Sequence, residues 1–82
     1  MPTIHREEKY NFRFYSLENN EPPHIHVWSP SGQMKVWLNA DLDIEECYGI
    51  PRHEWKKILE IIEKQQKIFL KKWYDFKKRE GN

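Results

Sequence analysis

The sequence lacks what several classes of protein require. It has one cysteine, Cys47, among 82 residues, so no internal disulfide can form and a disulfide-stapled secreted scaffold is excluded. The same scarcity excludes metal sites built on several cysteines. No stretch approaches the roughly 20 consecutive apolar residues of a membrane-spanning helix. Met1-Pro-Thr-Ile-His5 lacks the basic-then-apolar order of a secretion signal. No repeat, low-complexity tract or linker interrupts the chain. The expectation is therefore one cytoplasmic domain over residues 1–82, without membrane contact and without a cofactor.

A chain this short holds a single core and buries only about 60% of its unfolded surface, so apolar contact is at a premium. Four tryptophans, four tyrosines and four phenylalanines supply it, each buried ring removing roughly 150–250 Å² from water. The net charge of +1 hides an asymmetry. Residues 1–51 carry four basic and eight acidic side chains, a balance of −4, whereas residues 52–82 carry ten basic and five acidic, a balance of +5. The second half is thus a candidate surface for an acidic partner: a nucleic acid, another protein or the acidic half of a second copy.

Turn formers divide the first half. Glu18-Asn-Asn-Glu-Pro-Pro23 reads as a loop, and Ser29-Pro-Ser-Gly32 has the proline and glycine of a tight hairpin turn. Asn11–Leu17 alternates, with Phe12 and Phe14 on one side and Asn11, Arg13 and Tyr15 on the other. In His24–Trp28, Ile25 and Val27 share one face while His24, His26 and Trp28 share the opposite one. Met34, Val36 and Leu38 alternate with Lys35, Trp37 and Asn39, which predicts a hairpin between these two runs. Leu42–Glu46 predicts a fourth strand, and Ile4 can start a short edge strand.

Gly49-Ile-Pro-Arg52 ends the sheet, and Pro51 suits a first helical turn, where its missing N–H has no partner to lose. A helix over about residues 51–79 follows. Trp55, Ile58, Leu59, Ile62, Phe69, Trp73 and Phe76 fall on one of its faces, and Lys57, Lys64, Lys67, Lys71 and Lys78 line the other. Such a helix is about 43 Å long, more than a small sheet covers, so its last turns must fray or meet a partner. The predicted fold is α+β: a small antiparallel sheet of three to four strands (about residues 3–47) against one long C-terminal helix.

His24 and His26 carry the sharpest chemical reading. Two imidazoles at i and i+2 on a strand project to one face, where they can act as acid and base or ligate one metal ion. Two ligands are too few for a catalytic zinc, and His5, His53, Asp41, Asp43 and Glu45 are the available additions. The alternative is structural: Pro22-Pro23 stiffens the chain before the strand, and the histidines stack on Trp28 and hydrogen-bond to neighbouring elements. The lysine stripe can bind phosphates or be a solvated helix face, with Glu60 and Glu63 interleaved. Asp41, Asp43, Glu45 and Glu46 can chelate a hard cation or simply protect a strand edge from aggregation. Cys47 reads as a small buried residue, having no preceding cation to lower its pKa. Trp37, placed near Trp28 on the paired strand, forms either an exposed aromatic patch or a shielded cross-strand pair. The candidate binding residues are Lys35, Arg52, Lys57, Lys64, Lys67, Lys71, Trp28 and Trp37.

Met1-Pro-Thr-Ile4, Pro22-Pro-His-Ile-His-Val27 after a polar loop, the strand bearing Lys35, and the Pro51-initiated helix reaching Trp73 together resemble the bacterial family domain of unknown function 4160. The resemblance covers nearly the whole chain, and Pro-Pro-His-x-His is its specific part. It implies no settled activity. It does imply a gene neighbour, a small protein of the family domain of unknown function 2442, in pairs proposed to be toxin–antitoxin-like modules. The leading expectation is a binding or regulatory component of such a two-protein module, meeting a small partner protein, a second copy or RNA. The alternatives are an RNA-cleaving toxin, with His24 and His26 as acid and base and Arg13, Lys35 or Arg52 steadying the phosphate, and a purely structural dimerisation domain.

Overall fold

Residues whose apolar side chains recur every second position form the first half of the molecule, and those with a 3.6-residue period form the rest. A computed structural model describes residues 3–15 and 21–80, without the side chain of Glu80. Its elements are β1 (Thr3–Glu7), β2 (Tyr10–Arg13), β3 (His24–Ser29), β4 (Gly32–Trp37), β5 (Ile44–Tyr48), a 3₁₀ turn (Arg52–Glu54) and α1 (Trp55–Glu80). The strands form one antiparallel meander in the order β1-β2-β3-β4-β5. The loop expected at Glu18–Pro23, up to residue 20, and the end of the run predicted over Asn11–Leu17 lie outside the described residues.

The α+β architecture is as expected, but the sheet has five strands instead of three to four. The strand begun near Ile4 is a full partner of β2, joined to it through Glu8, whose φ of 56° is left-handed. That turn has no glycine, proline or asparagine to announce it. The strand expected over Leu42–Glu46 starts instead at Ile44, because Leu42 has φ 50° and turns the chain. Asn39 closes this loop: its carbonyl accepts from the Leu42 amide, and its side-chain amide donates to the Asp43 carboxylate at 3.1 Å.

One face of the sheet packs under α1. Phe12, Phe14, Ile25, Val27, Met34 and Val36 meet Ile58, Ile61, Ile62, Phe69 and Trp73 in a buried cluster. The Phe12 and Phe69 rings are 5.7 Å apart, and Phe14 meets Trp73 edge-on at 5.2 Å and Phe76 at 5.6 Å. The turns of α1 expected to fray or seek a partner therefore find one in Phe14 of their own chain. Near the other end, Trp55 donates its indole N–H to the Ile50 carbonyl at 3.0 Å. Among the described residues no helix is long and apolar enough to cross a membrane.

Tyr10 ties the sheet to the start of α1. The hydroxyl of this buried residue donates to Glu54 at 2.6 Å, and Lys9 approaches the same carboxylate at 3.2 Å. Burial first, and then the bond to Glu54, push the Tyr10 pKa from 10.0 up to about 12. The folded state thus holds this proton more tightly than the unfolded one, so its contribution is intact below pH 10.0 and is lost as pH rises from there through about 12. Chemical denaturation of the parent across that interval is expected to show falling stability, and Tyr10→Phe is expected to flatten the fall. An equal alkaline slope in both proteins would locate the titrating group elsewhere.

Candidate functional site

The register of the four ladders arranges the side chains of the other, helix-free face in rows across the strands. One row runs Arg6, Asn11, Trp28, Gln33, Tyr48, and the next runs Thr3, Arg13, His26, Lys35, Glu46. His24 pairs with Trp37 at the end of the β3–β4 hairpin. The four-residue separation of Trp28 and Gln33 from His24 and Trp37 follows from the short turn that sets Ser29 opposite Gly32. Trp28 and Trp37 consequently lie at opposite ends of the hairpin, about 13 Å apart along the strands. The nearness of Trp28 and Trp37, on which both sequence readings rested, an aromatic patch or a cross-strand pair, is not found.

His24 and His26 are buried, at 0% and 8% exposure. His26 lies flat against Tyr15, with centroids 3.7 Å apart and planes within 5°. His24 meets His26 edge-on at 5.1 Å and packs on Trp37 at 5.4 Å and on Trp73 of α1 at 4.8 Å. Its Nδ1 is 2.9 Å from the Pro22 carbonyl, a contact that makes Nδ1 the protonated, donating nitrogen. The ring expected over the histidines was Trp28; the ring that covers His26 is Tyr15. Trp28 instead donates its indole N–H to the Tyr15 hydroxyl at 2.7 Å. The Pro-Pro-His-x-His segment is in this way the hub of a ring stack that joins the two sides of the sheet.

The cations of this face fall into two sets. Lys35 binds Glu21 at 2.6 Å and lies over the Trp37 ring, and Trp37 donates to Glu45 at 3.0 Å. Arg13 lies over Trp28 at 5.4 Å, and its buried Nε has no hydrogen-bond partner among the described residues. Arg6 donates from Nε to the Asn11 side-chain oxygen at 2.8 Å. Among the described residues neither arginine has a carboxylate partner. Between Tyr15 and Tyr48 lies an open pocket of about 230 Å³, also lined by His26, Gln33, Met34, Lys35 and Glu46.

Of the residues singled out from the sequence, His24, His26, Trp28, Lys35 and Trp37 come together on this face. Arg52, Lys57, Lys64, Lys67 and Lys71 do not: they belong to the helical half, with Arg52 over Trp55 and Lys57 on Glu8 at 2.9 Å. That bond to Glu8 raises the Lys57 pKa. Among the described residues no group of three histidine, cysteine or acidic side chains could hold a metal ion. His5 is bonded to Glu7 and lies against Phe12 and Phe69, Asp43 is held by Asn39, and Cys47 is half-buried with its thiol 3.6 Å from the Ile50 carbonyl. Sequence reasoning placed Asn11 on the side of Arg13 and Tyr15 but missed Arg6, Gln33 and Tyr48 as members of the face. The signal was available for Gln33 alone, through the turn that fixes the β3–β4 register.

No curated protein and no solved structure matches the chain. The family described as Domain of unknown function (DUF4160) matches residues 10–74, a span that runs from the first residue of β2 past Trp73 and so takes in the whole histidine ring stack. The chain belongs to this family.

Proposed function

We propose that the protein is a binding or regulatory component of a two-protein, toxin–antitoxin-like module, and that it engages its partner on the helix-free face of the sheet. The observation that carries this reading is the burial of the histidine pair. An acid or base must come within hydrogen-bond reach of the substrate atom whose proton it moves. His24 has no exposed surface and its Nδ1 is committed to the Pro22 carbonyl, while His26 lies under Tyr15. His24 therefore acts as a ring within the core, and His26, which borders the pocket between Tyr15 and Tyr48, is held flat under Tyr15; together they fix Tyr15 and, through its hydroxyl, Trp28. What remains open to a partner is the surface they support, with Trp28 half-buried and Tyr48 61% exposed.

The test compares His24→Ala/His26→Ala with the parent in thermal melting and in degradation of total bacterial RNA, with and without divalent metal. Truncating two buried rings leaves cavities and an unpaired Pro22 carbonyl, so a loss of about 2 kcal/mol or more is expected. In a domain of this size that lowers Tm by about 10 °C, and neither protein is expected to cut RNA. A variant that melts like the parent but has lost a parental cleavage would replace this reading with the RNA-cleaving toxin.

A further inference from the structure

We infer that the helix-free face is a site for single-stranded nucleic acid, with bases stacked on Trp28 and Tyr48 and phosphates held by Arg6 and Arg13. The inference rests on the reading of this face as a docking surface and names its occupant.

The first row of the face supplies the arrangement. Trp28 on β3 and Tyr48 on β5 share one row with Gln33 between them. Their strands are two inter-strand spacings apart, about 9.5 Å. Every base has a π face, so such rings accept unstacked bases with little regard to sequence. Gln33 offers a donor and an acceptor in the gap, which suits the edge of any base. Trp28 is already fixed by its bond to Tyr15 and by the histidine stack beneath Tyr15, so little ordering is left for binding. The whole row, from Arg6 to Tyr48, spans four strand spacings, about 19 Å. Sheets of comparable width stack two or three bases.

Charge chooses the occupant. Arg13 on β2 lies over Trp28, and Arg6 on β1 stands in the Trp28 row one strand further out, beyond Asn11. Among the described residues neither has a carboxylate partner, and the buried Nε of Arg13 has no acceptor. A guanidinium stacked on a ring keeps its outer N–H groups directed outward, a geometry that suits phosphate oxygens. Of the acids of the face, Glu45 and Glu46 stand on β5 at the opposite end of the rows, and Glu21 is paired with Lys35. An anionic backbone is thereby drawn to the β1–β2 side while its bases extend toward Tyr48.

The experiment is fluorescence anisotropy of labelled twelve-nucleotide oligouridylate, oligothymidylate and a duplex RNA, titrated with the full chain. Binding is expected for the single strands and to weaken with salt. The duplex is expected to bind at least tenfold more weakly, because its bases are not free to stack. The relative strength of the uridylate and thymidylate probes assigns RNA or DNA. Arg6→Glu and Tyr48→Ala alter exposed side chains, so they are expected to melt like the parent, and each is expected to weaken binding about tenfold. Lys64→Ala/Lys67→Ala/Lys71→Ala is expected to change it less than twofold. Equal affinity for the duplex, or binding lost with the helix lysines and kept in Arg6→Glu, would overturn the inference in favour of the helix. Single strands that stay intact and unbound would overturn it while leaving a protein partner for the face. Cleavage of the probe would overturn the proposed binding function as well.

Discussion

Trp73→Ala is expected to lose a large share of the protein's stability and to unfold at far lower urea than the parent. The indole is 3% exposed and is shared between two parts of the sheet, with Phe14 edge-on at 5.2 Å and His24 at 4.8 Å. Truncating a large buried aromatic costs about 3–5 kcal/mol in lost transfer energy and cavity. A domain of this length has a total stability of about 4–12 kcal/mol, so the loss takes a large share of the whole. The consequence reaches the site, since His24 loses one of its packing surfaces and the stack through His26 and Tyr15 loses its anchor. Trp73→Phe, which keeps a ring in place, is expected to retain more than half of the lost stability. Urea denaturation followed by far-ultraviolet circular dichroism measures both. A loss below about 1 kcal/mol for the alanine variant would mean that the last turns of α1 do not pack on Phe14.

Gly32→Ala is expected to be nearly as damaging, by a different route. A Cβ at Gly32 would lie 1.8 Å from the Tyr48 carbonyl oxygen, 2.8 Å from the Tyr48 carbonyl carbon and 2.9 Å from that of Gly49. All three are backbone atoms, so no side-chain rotation relieves the clash, and β4 must part from β5 at the Gln33–Tyr48 pair. Gly49, with φ 80°, completes the same close approach from the other strand. Overpacking typically costs about 1–3 kcal/mol, and the high end is expected where only backbone can yield. Ser31→Ala, at the exposed tip of the same turn, is expected to change stability by less than about 0.5 kcal/mol. Because Tyr48 moves with β5, Gly32→Ala is also expected to lose oligonucleotide binding at temperatures where it remains folded. A near-parental melt would mean that β5 is not held at this register.

Some of the candidate site could be read directly from residue types. The common face of His24, His26 and Trp28 follows from strand alternation, and so does its separation from Ile25 and Val27. What alternation cannot give is how far a side chain stands from water. His24 and His26 read as available imidazoles until Tyr15, Trp37 and Trp73 close around them. Tyr15 belongs to β2's continuation and Trp73 to α1, so their meeting depends on the register of three ladders and the placement of the helix. The lysine stripe was legible as a helical face, but nothing in its spacing tells that the helix bearing it packs on the other face of the sheet from Trp28 and Tyr48.

By itself the sequence determined the α+β class, the faces of β2, β3 and β4, the hairpin at Ser29–Gly32 and the long amphipathic helix after Pro51. These are consequences of periods of two and 3.6 residues and of glycine and proline chemistry, all of which act over a few neighbouring positions. Tertiary structure alone decided the fifth strand, the burial of the histidine pair, the folding of Trp73 and Phe76 back onto Phe14, and the row of Arg6, Asn11, Trp28, Gln33 and Tyr48. Two turns at Glu8 and Leu42, left-handed without glycine, set where β2 and β5 begin. A one-residue change in either register would move every side chain of that strand to the other face, so the site exists only once all four ladders are in place.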